Sequence, residues 1–102
     1  MERIEKIKSF LEKSPGDAFL THALALEWLK LGKKEEALQC FQQNATEHPD
    51  YVGTYYHLGK LLEELSNLED AQAIYEKGIS VAKKENDSHA QRELQAALDD
   101  IF

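Results

Sequence analysis

A shift of 34 residues lays this chain on itself. It carries Pro15 onto Pro49, Leu24 onto Leu58, Leu31 onto Leu65, Ala37 onto Ala71 and Phe41 onto Tyr75. Five matches at one offset, all at apolar or helix-punctuating positions, mark an internal repeat. Such a repeat admits few folds, because each copy buries its apolar face only by stacking on a neighbour.

Within each copy the apolar spacing is helical. Leu24, Trp28 and Leu31 fall at i, i+4 and i+7, and so do Leu58, Leu62 and Leu65, then Leu94, Leu98 and Ile101. Three copies of one stripe predict three equivalent helices. The helices between them carry Ala37, Phe41 and Asn44, then Ala71, Tyr75 and Gly78. The spacing predicts six helices, at about 2–13, 18–31, 34–47, 51–64, 68–84 and 88–101. Asp17, Asp50 and Ser88 are expected N-caps, Ser88 with Gln91 as a capping box. Gly32 is expected to end a helix in the left-handed conformation, and Pro15 and Pro49 to lie beyond helix ends.

Composition fits this reading and narrows the partners. At 102 residues the chain is one domain in size, and 42% hydrophobic residues with only two prolines suit packed helices rather than disorder. The net charge of −7, with no basic block, argues against nucleic acid and anionic membrane. The single cysteine, Cys40, offers no internal disulfide and points to a reducing compartment. No apolar leader follows Met1 and no apolar run is long enough to cross a bilayer, so a cytoplasmic location is expected. Asn44-Ala45-Thr46 and Asn86-Asp87-Ser88 match the glycosylation sequon, and without a leader both are read as chance.

With these residues in place the chain resembles the tetratricopeptide repeat family. The matching residues are Leu24, Ala25, Trp28, Gly32, Ala37, Phe41 and Pro49 in a first repeat. In a second they are Tyr55, Leu58, Gly59, Leu62, Ala71, Tyr75 and Gly78. The resemblance implies an all-α superhelix of helical hairpins: a single domain over 1–102, with a half-repeat helix at 1–16, repeats at 17–50 and 51–86, and a capping helix at 87–102. There are departures. Thr21 stands where the family has a large aromatic, Asn44 where it has a small apolar residue, and Lys83 where it has a closing proline. The segment from Lys83 to Asp87 reads as a loop about two residues longer than its counterpart.

The small residues have a physical role. Ala25 should face Ala37, and Gly59 should face Ala71, so that paired helices approach closely. A larger side chain there would overpack by ~1–3 kcal/mol. Arg3 and Gln95 fall at corresponding positions of the end helices, where a hairpin is incomplete and the need for a small residue vanishes. Both end helices therefore read as polar caps that oppose end-to-end polymerisation.

No catalytic constellation emerges. The four histidines, His22, His48, His57 and His89, supply no convergent metal set, and Cys40 has no adjacent base. Phosphate-loop and nucleophile-elbow patterns are absent. The chain is read as a non-enzyme with no cofactor and no metal. Family members expose the first helix of each pair on a concave wall. By helical phase that wall would include Phe19, His22, Ala23, Leu26, Gly53, Tyr56, His57, Lys60, Glu63, Glu64 and Arg92, with Phe19 and Leu26 alternatively packed against the first helix. An apolar strip with a polar rim suits a protein or peptide partner. The expected function is a protein-binding adaptor, as a monomer or weak homodimer. The alternative is a self-association module that joins through the concave wall or through Ile101 and Phe102. Some family members clamp acidic chaperone tails with lysine, asparagine and arginine. The matching positions here hold His22, Leu26, His57, His89 and Glu93, so that activity is not implied.

Overall fold

A computed structural model describes residues 2–101. Met1 and Phe102, the latter expected to add apolar surface to a self-association contact, lie outside the described residues. The described residues form six helices and no strand: α1 (Glu2–Lys13), α2 (Ala18–Lys30), α3 (Lys34–Glu47), α4 (Gly53–Glu64), α5 (Leu68–Lys84) and α6 (Ser88–Ile101). They gather into two compact units that divide between His48 and Pro49.

In the first unit α1 packs on α2, and α2 on α3. Ile4, Ile7 and Leu11 sit at i, i+3 and i+7 on one face of α1, which buries against Leu24, Ala23, Trp28 and Cys40. Ala25, Ala37 and Phe41 are wholly buried, so the first hairpin closes at its small residues. Phe19 is 64% exposed and is therefore not a core residue. In the second unit α5 packs on both α4 and α6, and α6 also touches α4. Its core holds Tyr55, Leu58, Ala71, Tyr75, Ala82 and Leu94. Gly59 meets the Tyr75 ring: a Cβ added there would lie 2.2 Å from Tyr75 Cε1. Gly59 was expected to face Ala71; what it makes room for is the Tyr75 ring, one turn further along α5.

Three turns share one construction. Gly32, Ser66 and Asn86 take φ values of 73°, 61° and 60°. In each, the following amide reaches back to close the helix: Lys33 N to Trp28 O at 2.9 Å, Asn67 N to Leu62 O at 2.8 Å, Asp87 N to Ala82 O at 2.9 Å. This is the Schellman closure, which satisfies carbonyls left over at a helix end. Asn67 and Asp87 then cap the next helix, accepting from Asp70 N at 3.4 Å and Ala90 N at 3.0 Å.

Several expectations are corrected. Asp87, not Ser88, caps α6, because the Schellman turn leaves Asp87 as the last non-helical residue. Asp50 does not cap α4, which starts two residues later than expected at Gly53 with no side-chain cap; Asp50 instead pairs with Lys84 at 3.4 Å. α5 spans the expected 68–84, so Lys83 and Lys84 of the expected loop are helical and only Glu85, Asn86 and Asp87 form the turn before α6. α5 has 17 residues against 14 in α3, and Lys83 continues it where a proline would break it. Leu31 is 46% exposed, because α2 ends at Lys30 and Leu31 is its C-cap. Asp17 does cap α2, accepting from Leu20 N at 3.0 Å. Arg3 and Gln95 are exposed, and Arg3 pairs with Glu27 at 3.3 Å.

Candidate functional site

Each unit carries an open cleft. The second unit's cleft, about 190 Å³, lies between α4 and α6. Tyr56 and Lys60, four residues apart on α4, form one side. Glu93, Ala96, Ala97 and Asp100 form the other, at i, i+3, i+4 and i+7 on α6. Helical phase brings each set onto one face. The two alanines keep α6 slim, so the cleft stays open beside the Tyr56 ring.

The α4 side is held in place by its neighbours. Lys60 Nζ lies 5.6 Å from the Tyr56 ring centroid and 3.9 Å from Glu63. Glu63 accepts a short hydrogen bond from Tyr75 OH, which ties it to α5. Burial, and then this hydrogen bond, push the Tyr75 phenol well above its ordinary range. The His57 ring stands edge-on to Tyr56 at 5.7 Å. Burial pulls the His57 imidazole below its usual value, with Glu93 opposing. On α6, Glu93 also pairs with His89 at 3.5 Å.

Of the residues expected on a concave wall, the structure brings Tyr56, His57, Lys60 and Glu63 together on α4. Gly53 is exposed at the helix start, and Glu64 and Arg92 are exposed. In the first unit Phe19 is exposed, while His22 and Leu26 are half-buried. The His22 ring meets the edge of Phe41 at 5.8 Å. Ala23 packs on the cluster of Ile4, Ile7 and Leu24 and so faces α1. The α6 side of the cleft was missed in sequence. Its signal was the spacing of Glu93, Ala96, Ala97 and Asp100, which shows one face of α6 but not that this face meets α4.

The first unit's cleft, about 310 Å³, is bounded by Lys8, Leu11 and Glu12 of α1, by Pro15 in the turn after it, by Thr21 and Leu24 of α2, and by Cys40 and Gln43 of α3. Burial raises the Cys40 thiol above its ordinary value, with Lys8 opposing, so the thiol is held as the weak nucleophile. Among the described residues no group of three or more His, Cys, Asp or Glu is placed to hold a metal ion, and no helix is long and apolar enough to cross a membrane.

The arrangement offers an aromatic wall, an ammonium, two carboxylates and an alanine floor. These are recognition elements for a side chain or an extended segment.

Comparison with known proteins agrees on the architecture. The profile of the tetratricopeptide repeat matches residues 52–85. A tetratricopeptide repeat domain protein of Salinibacter ruber, known from a crystal structure, is 45% identical with a TM-score of 0.81, over 83% of this chain and 94% of that one. Its solution structure superposes with a TM-score of 0.82, over 85% of this chain and 88% of that one. A TPR repeat-containing protein of Pseudomonas aeruginosa is 27% identical over 93% of this chain and 90% of its own length. PcrH, crystallised in complex with the chaperone binding region of PopD, shares the fold at 17% identity and a TM-score of 0.88, over 98% of this chain and 76% of PcrH. With the period and the paired helices in place, and a relative 45% identical over most of both chains, the chain belongs to the tetratricopeptide repeat family.

Proposed function

We propose that this chain is a cytoplasmic, non-enzymatic adaptor that binds a protein or peptide, and that residues 1–102 act as one repeat domain. The observation that carries the reading is the α4–α6 cleft, where Tyr56 stands half-buried beside Lys60 with Ala96 and Ala97 opposite. A half-buried aromatic ring next to an open, small-residue floor suits insertion of a partner's side chain, since aromatic residues dominate interface energetics. His57 and Glu63 position the ring and the ammonium. Gly53, Glu64 and Arg92 contribute exposed groups on the same unit, and Phe19, His22 and Leu26 offer a surface of their own on the first unit. Ala23 takes no part, since it packs toward α1.

The fold of PcrH, which holds a segment of another protein, supports peptide capture as a use of such helices. Charge favours a basic or neutral partner. Glu93 and Asp100 face the cleft, and the chain as a whole carries −7.

The test is affinity capture from the native cell with wild type and with Tyr56→Ala, followed by titration of the partner identified. Tyr56→Ala is expected to weaken binding by about 2 kcal/mol, roughly 30-fold, with little change in melting temperature. Unchanged capture by a Tyr56→Ala protein of normal stability would remove the cleft from the binding surface.

A further inference from the structure

We propose that the separate cleft of the first unit receives the phenol ring of a tyrosine presented by a basic peptide. The 34-residue repeat supplies the occupant. In the second unit the Tyr55 side chain is wholly buried, and its hydroxyl donates to the Pro49 carbonyl at 2.5 Å. The shift that carries Pro15 onto Pro49 carries Thr21 onto Tyr55 and Leu24 onto Leu58. Pro15, Thr21 and Leu24 all line the first unit's cleft. The cleft therefore opens where the first repeat has a threonine in place of the aromatic residue of the second, and it keeps the proline and leucine that accompany that ring.

Thr21 does not fill the space. Its hydroxyl turns back to the Asp17 carbonyl at 3.2 Å, inside its own helix. Asn44 stands where Gly78 makes room for Tyr55, and its amide donates to the Ala18 carbonyl at 2.9 Å. Neither side chain supplies a ring. The volume, about 310 Å³, is at the small end for ligand sites and suits one ring rather than a drug-sized molecule.

The lining suits a phenol. Leu11, Pro15 and Leu24 offer apolar faces to the ring, and the Pro15 carbonyl stands in for that of Pro49 as acceptor of the hydroxyl. Lys8 at the rim already lies over one aromatic ring, that of Trp28, at 5.4 Å from its centroid. Glu12, exposed on the same rim, is placed to meet a lysine or arginine beside the tyrosine.

The test uses the full chain labelled with ¹⁵N and titrated with p-cresol, then with acetyl-Lys-Tyr-Lys-amide and its Tyr→Ser version. Amide shifts are expected at Thr21, Leu24 and Cys40. Alkylation of Cys40 by iodoacetamide should slow about 3-fold when ligand reaches twice its Kd. The tyrosine peptide should bind at least about 10-fold more tightly than p-cresol and lose that margin at high salt, while the serine peptide should not bind. The paired variant Thr21→Tyr with Asn44→Gly, which recreates the second unit's arrangement, should lose the p-cresol shifts. Absence of shifts at these residues in wild type would overturn the proposal without recourse to any variant. So would a tyrosine peptide no tighter than p-cresol, or unchanged p-cresol binding in a folded paired variant.

Discussion

The two units solve one packing problem in opposite ways. In the second, a large residue on the first helix of the pair, Tyr55, meets the smallest residue on the other, Gly78. A Cβ at Gly78 would lie 2.6 Å from Tyr55 Cβ, closer than packed carbons tolerate. In the first unit Thr21 is the short residue at the corresponding position, and Asn44 occupies the place of the glycine, 1% exposed and bonded to Ala18. Tyr55 with Gly78 and Thr21 with Asn44 are two divisions of similar interior space between two helices. Taken singly, Thr21 and Asn44 look like two unrelated departures from the repeat. Taken as a pair, each permits the other. The first unit's cleft opens beside Thr21, facing α1, and Asn44 does not line it.

The sharpest way to break this comparison is to give the second unit the first unit's residue. Gly78→Asn should cost about 3 kcal/mol, near the top of the overpacking range, and lower Tm by more than about 10 °C. Adding Tyr55→Thr should recover part of that loss, a coupling of about 1–3 kcal/mol in a double-mutant cycle. Strict additivity in thermal melts would show that the two positions do not share space.

In the first unit Asn44→Ala removes the bond to Ala18. The expected loss is about 1–2 kcal/mol by chemical denaturation, held down because Asn44 Oδ1 is buried without a hydrogen-bond partner. A loss above about 3 kcal/mol would mean that Asn44 does more than fill and tie.

The turns provide a finer contrast, since Gly32 and Ser66 adopt the same left-handed backbone at corresponding positions. Ser66→Gly should stabilise by up to about 1 kcal/mol, and Gly32→Ser should destabilise by about as much. Opposite signs in matched melts are required. If both changes destabilise, the Ser66 side chain contributes more than its strain costs.

The smallest effect concerns His57, which the repeat aligns with Ala23. Burial holds the folded-state imidazole below the unfolded value of 6.5. The folded state therefore binds fewer protons. His57 leaves stability intact above about pH 6.5 and reduces it as pH falls through that value toward the folded one. His57→Ala should make the loss of Tm between pH 7 and 5 shallower. An unchanged slope would assign the acid sensitivity to other groups.

The six helices and the repeat were legible in the residues, because each is a local or periodic signal. Helical stripes, αL turn residues and small-residue positions are set by a few neighbours along the chain. Arg3 and Gln95 could be read as exposed for the same reason. The α6 side of the candidate site was not legible, nor was the partnership of Thr21 with Asn44. The face α6 presents to α4 depends on how the two helices cross once both pack on α5, which their spans along the chain do not fix. Asn44 meets Ala18, and Tyr55 meets Gly78, only when two helices close on each other, and no spacing along the chain records how two side chains divide one volume. The sequence by itself determined the helices and their order. Only tertiary packing decided which ring is buried, which cleft stays open and which α6 side chains stand opposite Tyr56, because those depend on volumes shared between helices rather than on the pattern within any one of them.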